Sequence, residues 1–116
     1  MELEFVRINE QHDTTSFNCS SPQLTDYFKK FSLQNDRLNI AKCIVAVKDE
    51  KIVGYYTISM KSISKEDFEK KDVRGLPGYP IPIILVGKLA VHIDFAKKGI
   101  GSSMLKSIFQ AAIKNS

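Results

Sequence analysis

The sequence predicts a mixed α/β domain with the element order β-α-β-β-(α)-β-α. Three observations lead to this prediction. Short apolar segments are separated by polar turns, two segments repeat apolar residues at helical spacing, and a glycine-containing turn precedes the last helix. The chain has 116 residues, of which 43% are apolar and 26% charged. We therefore expect residues 1–116 to form one domain of ordinary globular composition.

The first third of the chain predicts a strand and a helix. Leu3 to Ile8 alternates between apolar and polar residues, as a half-buried strand does. Ser20-Ser21-Pro22 supplies a capping hydroxyl and a first-turn proline, so a helix is predicted from there to about Arg37. Its apolar stripe is interpreted as core packing rather than a ligand site, and consists of Leu24, Tyr27, Phe28 and Phe31.

The middle of the chain predicts an antiparallel hairpin. Ile40 to Val47 is apolar and rich in β-branched residues, Lys48-Asp49-Glu50-Lys51 is a polar turn, and Ile52 to Ser59 is strand-like again. A short helix is then predicted for Ser64 to Lys71, and a loop for the glycine- and proline-rich stretch Arg74 to Pro80.

The last part of the chain predicts a long strand and a second helix. Ile81 to His92 is the strand, and Gly87 inside it predicts a bulge or a close backbone approach. The helix is predicted from Gly99 almost to Ser116. Its predicted buried stripe consists of Met104, Leu105, Ile108 and Ala112.

Composition also narrows the class of protein. Cys19 and Cys43 are too few for a disulfide framework or a metal cluster, so each is expected to be a small buried or half-buried residue and no metal is expected. The longest apolar run, Ile81 to Val86, contains Pro82 and is too short to span a bilayer. The N-terminus lacks the basic and apolar regions of a secretory signal. We therefore expect a cytoplasmic protein with no membrane contact.

The net charge of +4 is concentrated at one end of the chain. Residues 88–116 carry five lysines and one aspartate, whereas the preceding residues are neutral overall. A local positive charge suits a polyanionic ligand or nucleic acid, but it is also found on solvated helix faces. Charge alone does not separate these two interpretations.

The strongest functional pattern is a strand, a glycine turn and a helix between residues 89 and 105. A helix N-terminus exposes unpaired N–H groups, and Gly99 and Gly101 allow a phosphate to approach the backbone. The neighbouring lysines and hydroxyls complete an anion site, and they are Lys97, Lys98, Ser102 and Ser103. The pattern matches neither a P-loop nor a Rossmann fingerprint. A Gly-x-Gly pair alone is also compatible with a tight turn that binds nothing.

This segment resembles the acetyl-CoA motif of the GCN5-related N-acetyltransferase (GNAT) superfamily, Gln/Arg-x-x-Gly-x-Gly/Ala after a Leu-Ala-Val strand. Ala96 stands at the Gln/Arg position, and Lys97 to Gly101 follow. Further segments resemble the acetyltransferase toxins of type II toxin–antitoxin modules, namely Phe17-Asn18-Cys19, Val53 to Ile58 and Ile81 to Val91. The resemblance extends over residues 2–115.

The resemblance implies that acetyl-CoA is the cofactor. The backbones of Leu89 and Val91, with Ala90 between them, would bind the pantetheine arm, and one N–H there would polarise the thioester carbonyl. The pyrophosphate would lie against the loop and the first helical turn, at Lys97, Lys98, Gly99, Ile100, Gly101, Ser102 and Ser103. Because phosphate binding is mainly through the backbone, Ala96 is expected to weaken cofactor binding without abolishing it.

The resemblance also implies partners. In the toxin branch the acceptor is the α-amino group of an aminoacyl-tRNA, so tRNA and an antitoxin protein are expected partners. Lys88 is a candidate RNA phosphate contact, or else a solvated lysine. A homodimer or higher assembly is expected to cover the apolar edge of the strand Ile81 to His92 or the adjacent exposed flank of the helix.

No catalytic residue is assigned. Complete members of the superfamily continue with further strands and a helix, and in the toxin branch these supply a tyrosine that acts as general acid. We expect this chain to be C-terminally truncated, because no residue aligns with that tyrosine. Tyr55, Tyr56 and Tyr79 are interpreted as core or interface residues, with Tyr55 and Tyr56 on opposite faces of a strand. His92 and His12 are interpreted as structural or surface residues.

Three functions therefore stay open. The first is a toxin-type N-acetyltransferase that transfers acetyl from acetyl-CoA to a primary amine, with aminoacyl-tRNA as acceptor. The second is a truncated, non-catalytic CoA-binding protein that acts through protein partners. The third is an acetyltransferase for small amines or protein N-termini.

Overall fold

A computed structural model describes residues 3–64 and 78–114 as four strands and two α-helices. In chain order they are β1 (Glu4–Arg7), α1 (Pro22–Arg37), β2 (Lys42–Lys48), β3 (Lys51–Ile63), β4 (Ile81–Val91) and α2 (Ile100–Lys114). A single 3₁₀ turn, Ile93–Phe95, stands between β4 and α2. The predicted order is confirmed for these elements. The helix predicted from Ser64 to Lys71 and most of the loop predicted from Arg74 lie outside the described residues.

The four strands form one antiparallel sheet in the order β1-β2-β3-β4. The predicted hairpin is confirmed as β2 and β3, joined by Asp49 and Glu50 with φ angles of 51° and 65°. Positive φ at both central residues is typical of the two-residue turn that matches the strand twist. The predicted second strand ends at Ser59, whereas β3 continues to Ile63 because it pairs with β4 as far as Ile81.

Gly87 forms the bulge that the sequence predicts. Thr57 of β3 pairs with Lys88 and the next residue, Ile58, pairs with Val86, so Gly87 is the extra residue of β4. A Cβ at this position would lie 3.0 Å from the Thr57 hydroxyl oxygen. The bulge therefore favours a residue without a side chain.

The sheet has a core on each face. Neighbouring residues of a strand point to opposite faces, and Tyr55 and Tyr56 accordingly belong to different clusters. Tyr55 packs under α1 with Phe17 and Phe28, and its hydroxyl donates to the Leu24 carbonyl at 2.7 Å. The Tyr56 hydroxyl, under α2, lies 2.8 Å from that of Ser107. The two tyrosines are core residues, as predicted.

Two members of the predicted stripes are not buried. Phe31 is 48% exposed, because the face of α1 that meets the sheet carries Thr25, Phe28, Ser32 and Asp36 instead. Leu105 is 52% exposed, because α2 buries a narrow line of residues four apart: Ile100, Met104 and Ile108. Leu24, Tyr27 and Ala112 are half-buried. The stripe predictions were therefore wrong for Phe31 and Leu105.

A buried carboxylate fixes the end of α1 to the sheet. The Arg7 Nε of β1 donates to both Asp36 oxygens, at 2.9 and 3.1 Å. The Cys43 N–H of β2 donates to the same carboxylate at 3.0 Å. Both cysteines are buried and unpaired, as predicted.

Candidate functional site

The site begins at the free edge of β4. Within the described ranges β4 pairs only with β3, so its other edge has no strand beside it. The His92 N–H points toward β3 and donates to the Val53 carbonyl at 2.8 Å. Backbone groups of successive residues point to alternate edges of a strand. The N–H and C=O groups of Leu89 and Val91 therefore point to the free edge, whereas those of Ala90 point to β3.

Gly54 brings α2 close to this part of the sheet. Gly54 is a residue of β3 and pairs with Val91 of β4. A Cβ on Gly54 would lie 2.9 Å from the Met104 sulfur and 3.1 Å from the Ala90 carbonyl oxygen. The absent side chain lets α2 pack closely against β3, next to β4 with its free edge.

His92 holds the turn that joins β4 to the loop. It is buried, its Nε2 lies 3.3 Å from the Ser16 carbonyl oxygen, and its Nδ1 accepts from the Asp94 N–H at 3.1 Å. The Ile93 N–H donates to the Asn18 carbonyl at 2.8 Å. These bonds fix the start of the loop to residues 16–18, so His92 has a structural role, one of the two roles predicted for it.

The loop presents unpaired N–H groups. Lys97 and Gly99 have φ angles of 64° and 82°, and these reverse the chain into α2. The first helical bond runs from Ser103 N–H to the Gly99 carbonyl at 3.2 Å. The N–H groups of Ile100, Gly101 and Ser102 therefore have no acceptor within the helix, and the residue before them is a glycine with no side chain to cap them.

There is room for a ligand at these N–H groups. A Cβ at Gly99 or Gly101 would meet no atom of the described residues within 4 Å, so these neighbours do not require glycine at Gly101. The side chains of Lys97, Lys98 and Ser102 are exposed beside it. Free donors, adjacent cations and open space together fit the pyrophosphate of a nucleotide cofactor.

Two further lysines lie near the loop. The Nζ atoms of Lys48, Lys51 and Lys98 are 5.8, 5.5 and 5.4 Å from the centre of the Phe95 ring. We call these three residues the lysine cluster. The sequence analysis missed Lys48 and Lys51, because they belong to the part of the chain with no net charge. The approach of the hairpin turn to the loop is visible only in the fold.

The remaining candidates lie elsewhere. The Lys88 Nζ is 4.2 Å from the centre of the Tyr27 ring, in a cation–π contact outside the loop. Burial raises the pKa of Tyr55 and Tyr56 above the usual tyrosine value. Tyr79 is 68% exposed, so it is not a core residue. His12 accepts a hydrogen bond from the Asn9 N–H within its own turn.

Residues 3–64 and 78–114 contain no group of three or more His, Cys, Asp or Glu side chains placed to hold a metal ion. None of the helices in these ranges is both long and apolar enough to cross a membrane.

Comparison with known proteins gives a consistent result. The chain is 34% identical over 100 residues to the tRNA-acetylating toxin of Mycobacterium tuberculosis. Its fold is similar to that of AtaT complexed with acetyl-methionyl-tRNAfMet, with a TM-score of 0.83 and 16% identity. It is also similar to an AtaT mutant toxin bound to the C-terminus of the antitoxin AtaR and acetyl-CoA, with a TM-score of 0.76 and 16% identity. No protein-family model matches the chain.

These similarities cover most of this chain but only part of its relatives. The aligned region is 86% of this chain and 60% of the M. tuberculosis toxin. The two AtaT structures are matched over 99% and 96% of this chain, and over 71% and 65% of their own chains. The resemblance to GNAT acetyltransferase toxins is confirmed. The fold class is confirmed as a mixed α/β arrangement that matches part of a GNAT-like fold.

Proposed function

We propose that this chain is the cofactor-binding part of an acetyl-CoA-dependent N-acetyltransferase that acetylates an aminoacyl-tRNA. The observation that carries the proposal is the meeting of two sets of free backbone groups at one end of β4. One set belongs to Leu89 and Val91 on the strand edge, and the other to Ile100, Gly101 and Ser102 at the start of α2. An extended amide chain that ends in a pyrophosphate needs both.

In this proposal acetyl-CoA supplies the activated acetyl group as a thioester. The outward backbone groups of Leu89 and Val91 would pair with the pantetheine amides, as they would with a further strand. The N–H groups of Ile100, Gly101 and Ser102 would donate to the pyrophosphate, at the positive end of the helix dipole. Lys97 and Lys98 neutralise its charge, while Gly99 and Ser103 complete the turn.

The strand edge also supplies the catalytic electrostatics. One outward N–H, of Leu89 or Val91, would donate to the thioester carbonyl oxygen and stabilise the negative charge that an attacking amine creates there. The hydroxyls of Tyr55 and Tyr56 already bond within the two cores, so neither is assigned as the acid that protonates the leaving thiolate.

The acceptor and partners follow from the relatives. The M. tuberculosis relative is named a tRNA-acetylating toxin, and one similar AtaT structure contains acetyl-methionyl-tRNAfMet. The excess of lysines in residues 88–116 suits an RNA acceptor. We extend the proposal to an antitoxin partner, because a similar AtaT structure contains the C-terminus of AtaR. We also propose that the protein forms a homodimer and is cytoplasmic, because acetyl-CoA and charged tRNA both occur in the cytoplasm.

A matched pair of glycine variants tests the cofactor site. Gly101 and Gly78 both have open space where a Cβ would stand, so Gly101→Asp and Gly78→Asp are both expected to fold. Only Gly101→Asp places a carboxylate at the proposed phosphate site. We expect it to weaken CoA binding at least tenfold by calorimetry, and Gly78→Asp to bind as the parent does.

Turnover is measured on the same preparations with labelled acetyl-CoA and aminoacyl-tRNA. Transfer of label to the tRNA, lost in Gly101→Asp, supports the proposed reaction. CoA binding without transfer would favour the non-catalytic alternative. Equal CoA affinity in the two glycine variants would contradict the cofactor site itself.

A further inference from the structure

The lysine cluster is built from two separate parts of the chain. Lys48 and Lys51 flank the two-residue turn between β2 and β3, whereas Lys98 belongs to the loop before α2. All three Nζ atoms lie within 5.4 to 5.8 Å of the centre of one ring, that of Phe95. Phe95 is itself held by an edge contact with the buried His92, at 5.9 Å between ring centres. The position of the cluster is therefore fixed by the fold.

The cluster carries three positive charges that no carboxylate of the described residues neutralises. Asp49, Glu50 and Asp94 are the carboxylates nearest in sequence. Among the described residues, however, none of the three lysines has a carboxylate within ion-pair distance. The three ammonium groups face one ring, and their like charges give a mutual repulsion. An external anion would relieve it.

Two features indicate which anion. The free N–H groups at the start of α2 already suit the cofactor pyrophosphate, whereas the hairpin turn belongs to a different part of the sheet. Lys51 and Lys98 are exposed, and lysine ammonium groups bind phosphates as point charges without reading a sequence. An exposed, sequence-independent phosphate site of this kind is typical of an RNA contact.

We propose that Lys48 and Lys51, with Lys98 shared between the RNA and the cofactor pyrophosphate, form a contact surface for backbone phosphates of the RNA acceptor. This inference rests on the proposed function, because it assumes that an RNA is the substrate. It adds a specific surface: the β2–β3 hairpin turn binds the RNA beside the cofactor loop. Base identity plays no part in it, so different tRNAs are bound through it equally.

The test uses the double variant Lys48→Gln/Lys51→Gln, which leaves the loop intact. Binding of fluorescently labelled deacylated tRNA is followed by anisotropy over a range of KCl concentrations. Log K for binding falls as log salt rises, and each lost phosphate contact reduces the magnitude of this negative slope by about 0.7 to 0.9. We expect the double variant to lose roughly tenfold in tRNA affinity at low salt and to lower the slope by about 1.5. Its CoA affinity is expected to stay unchanged.

The control is Lys42→Gln/Lys61→Gln, which removes the same charge from the opposite end of the sheet. It is expected to keep most of the parent's tRNA affinity and slope. Equal losses in the two double variants would show a general effect of net charge and overturn the inference. An unchanged slope in the Lys48/Lys51 variant would overturn it as well.

A second arm separates the RNA from the cofactor as the source of phosphate. If Lys48→Gln/Lys51→Gln weakens binding of CoA but not of 3′-dephospho-CoA, the cluster binds the 3′-phosphate of the cofactor and the RNA contact is wrong. Because tRNA binding needs no turnover, the two proposals fail separately. If acetyl transfer is absent but the salt slope of tRNA binding changes as expected, only the proposed function is contradicted. If transfer occurs but the salt slope is unchanged, only the RNA contact of the lysine cluster is contradicted.

Discussion

Ala96 is the residue at which this chain departs from the acetyl-CoA motif it resembles. It is exposed and has an extended backbone, with φ −61° and ψ 146°, so a longer side chain fits there. It lies next to Lys97, at the start of the loop. The backbone donors of the loop do not depend on it. The residue is therefore expected to set the strength of cofactor binding rather than its existence.

The variant Ala96→Arg is expected to tighten CoA binding by up to about tenfold. A hydrogen bond to a charged group contributes roughly 1.5 kcal/mol, which corresponds to that factor. Calorimetry measures the CoA affinity of Ala96→Arg and of a control, Gln110→Arg. Gln110 is an exposed residue near the other end of α2. Equal affinities of the two arginine variants would contradict the alignment of Ala96 with the motif.

The Cys43 thiol makes the free energy of unfolding vary with pH in the alkaline range. Burial raises the pKa of its thiol to about 12 from 9.0, and the Asp36 charge adds to the effect. The folded protein therefore holds a proton that the unfolded chain releases above about pH 9. The free energy of unfolding keeps its full value below about pH 9 and falls as the pH rises from 9 toward 12. Urea unfolding between pH 7 and 10.5 should show this loss, and Cys43→Ala should show less of it.

At the scale of elements, the sequence predicted which segments are helices and strands better than which faces they bury. Helical spacing of apolar residues located α1, and Ser21 and Pro22 marked its start. The buried face, however, is set by polar anchors: Asp36 bonds to Arg7 and to the Cys43 N–H. Their partners are distant in sequence, so a local apolar pattern does not reveal them.

Two phenylalanines on α1 test this account of the buried face. Phe28 is buried between Phe17 and Tyr55, whereas Phe31 contacts only Tyr27 among the described aromatic rings. Phe28→Ala should therefore cost about 3 to 5 kcal/mol of unfolding free energy, and Phe31→Ala less than about 1 kcal/mol. Urea denaturation of both variants gives the comparison. Similar losses would show that the two rings share one core.

At the scale of the whole molecule, the site is assembled from parts that the sequence revealed unequally. The glycine turn, its lysines and the strand before it are contiguous between residues 89 and 103, and so could be predicted. The approach of Lys48 and Lys51 could not, because it depends on the pairing of β3 with β4. The exposure of the apolar residues Leu105, Phe109 and Ile113 on α2 was not predictable either. The chain spans 60% of the M. tuberculosis relative.

Cofactor binding by backbone groups of β4 and α2 can be followed in the backbone amide resonances of the ¹⁵N-labelled protein as CoA is added. We expect the largest shifts at the N–H groups of Leu89, Val91, Ile100, Gly101 and Ser102, with a smaller shift at Ala90, whose N–H points to β3. Shifts concentrated away from these residues, or none at saturating CoA, would contradict cofactor binding at these groups.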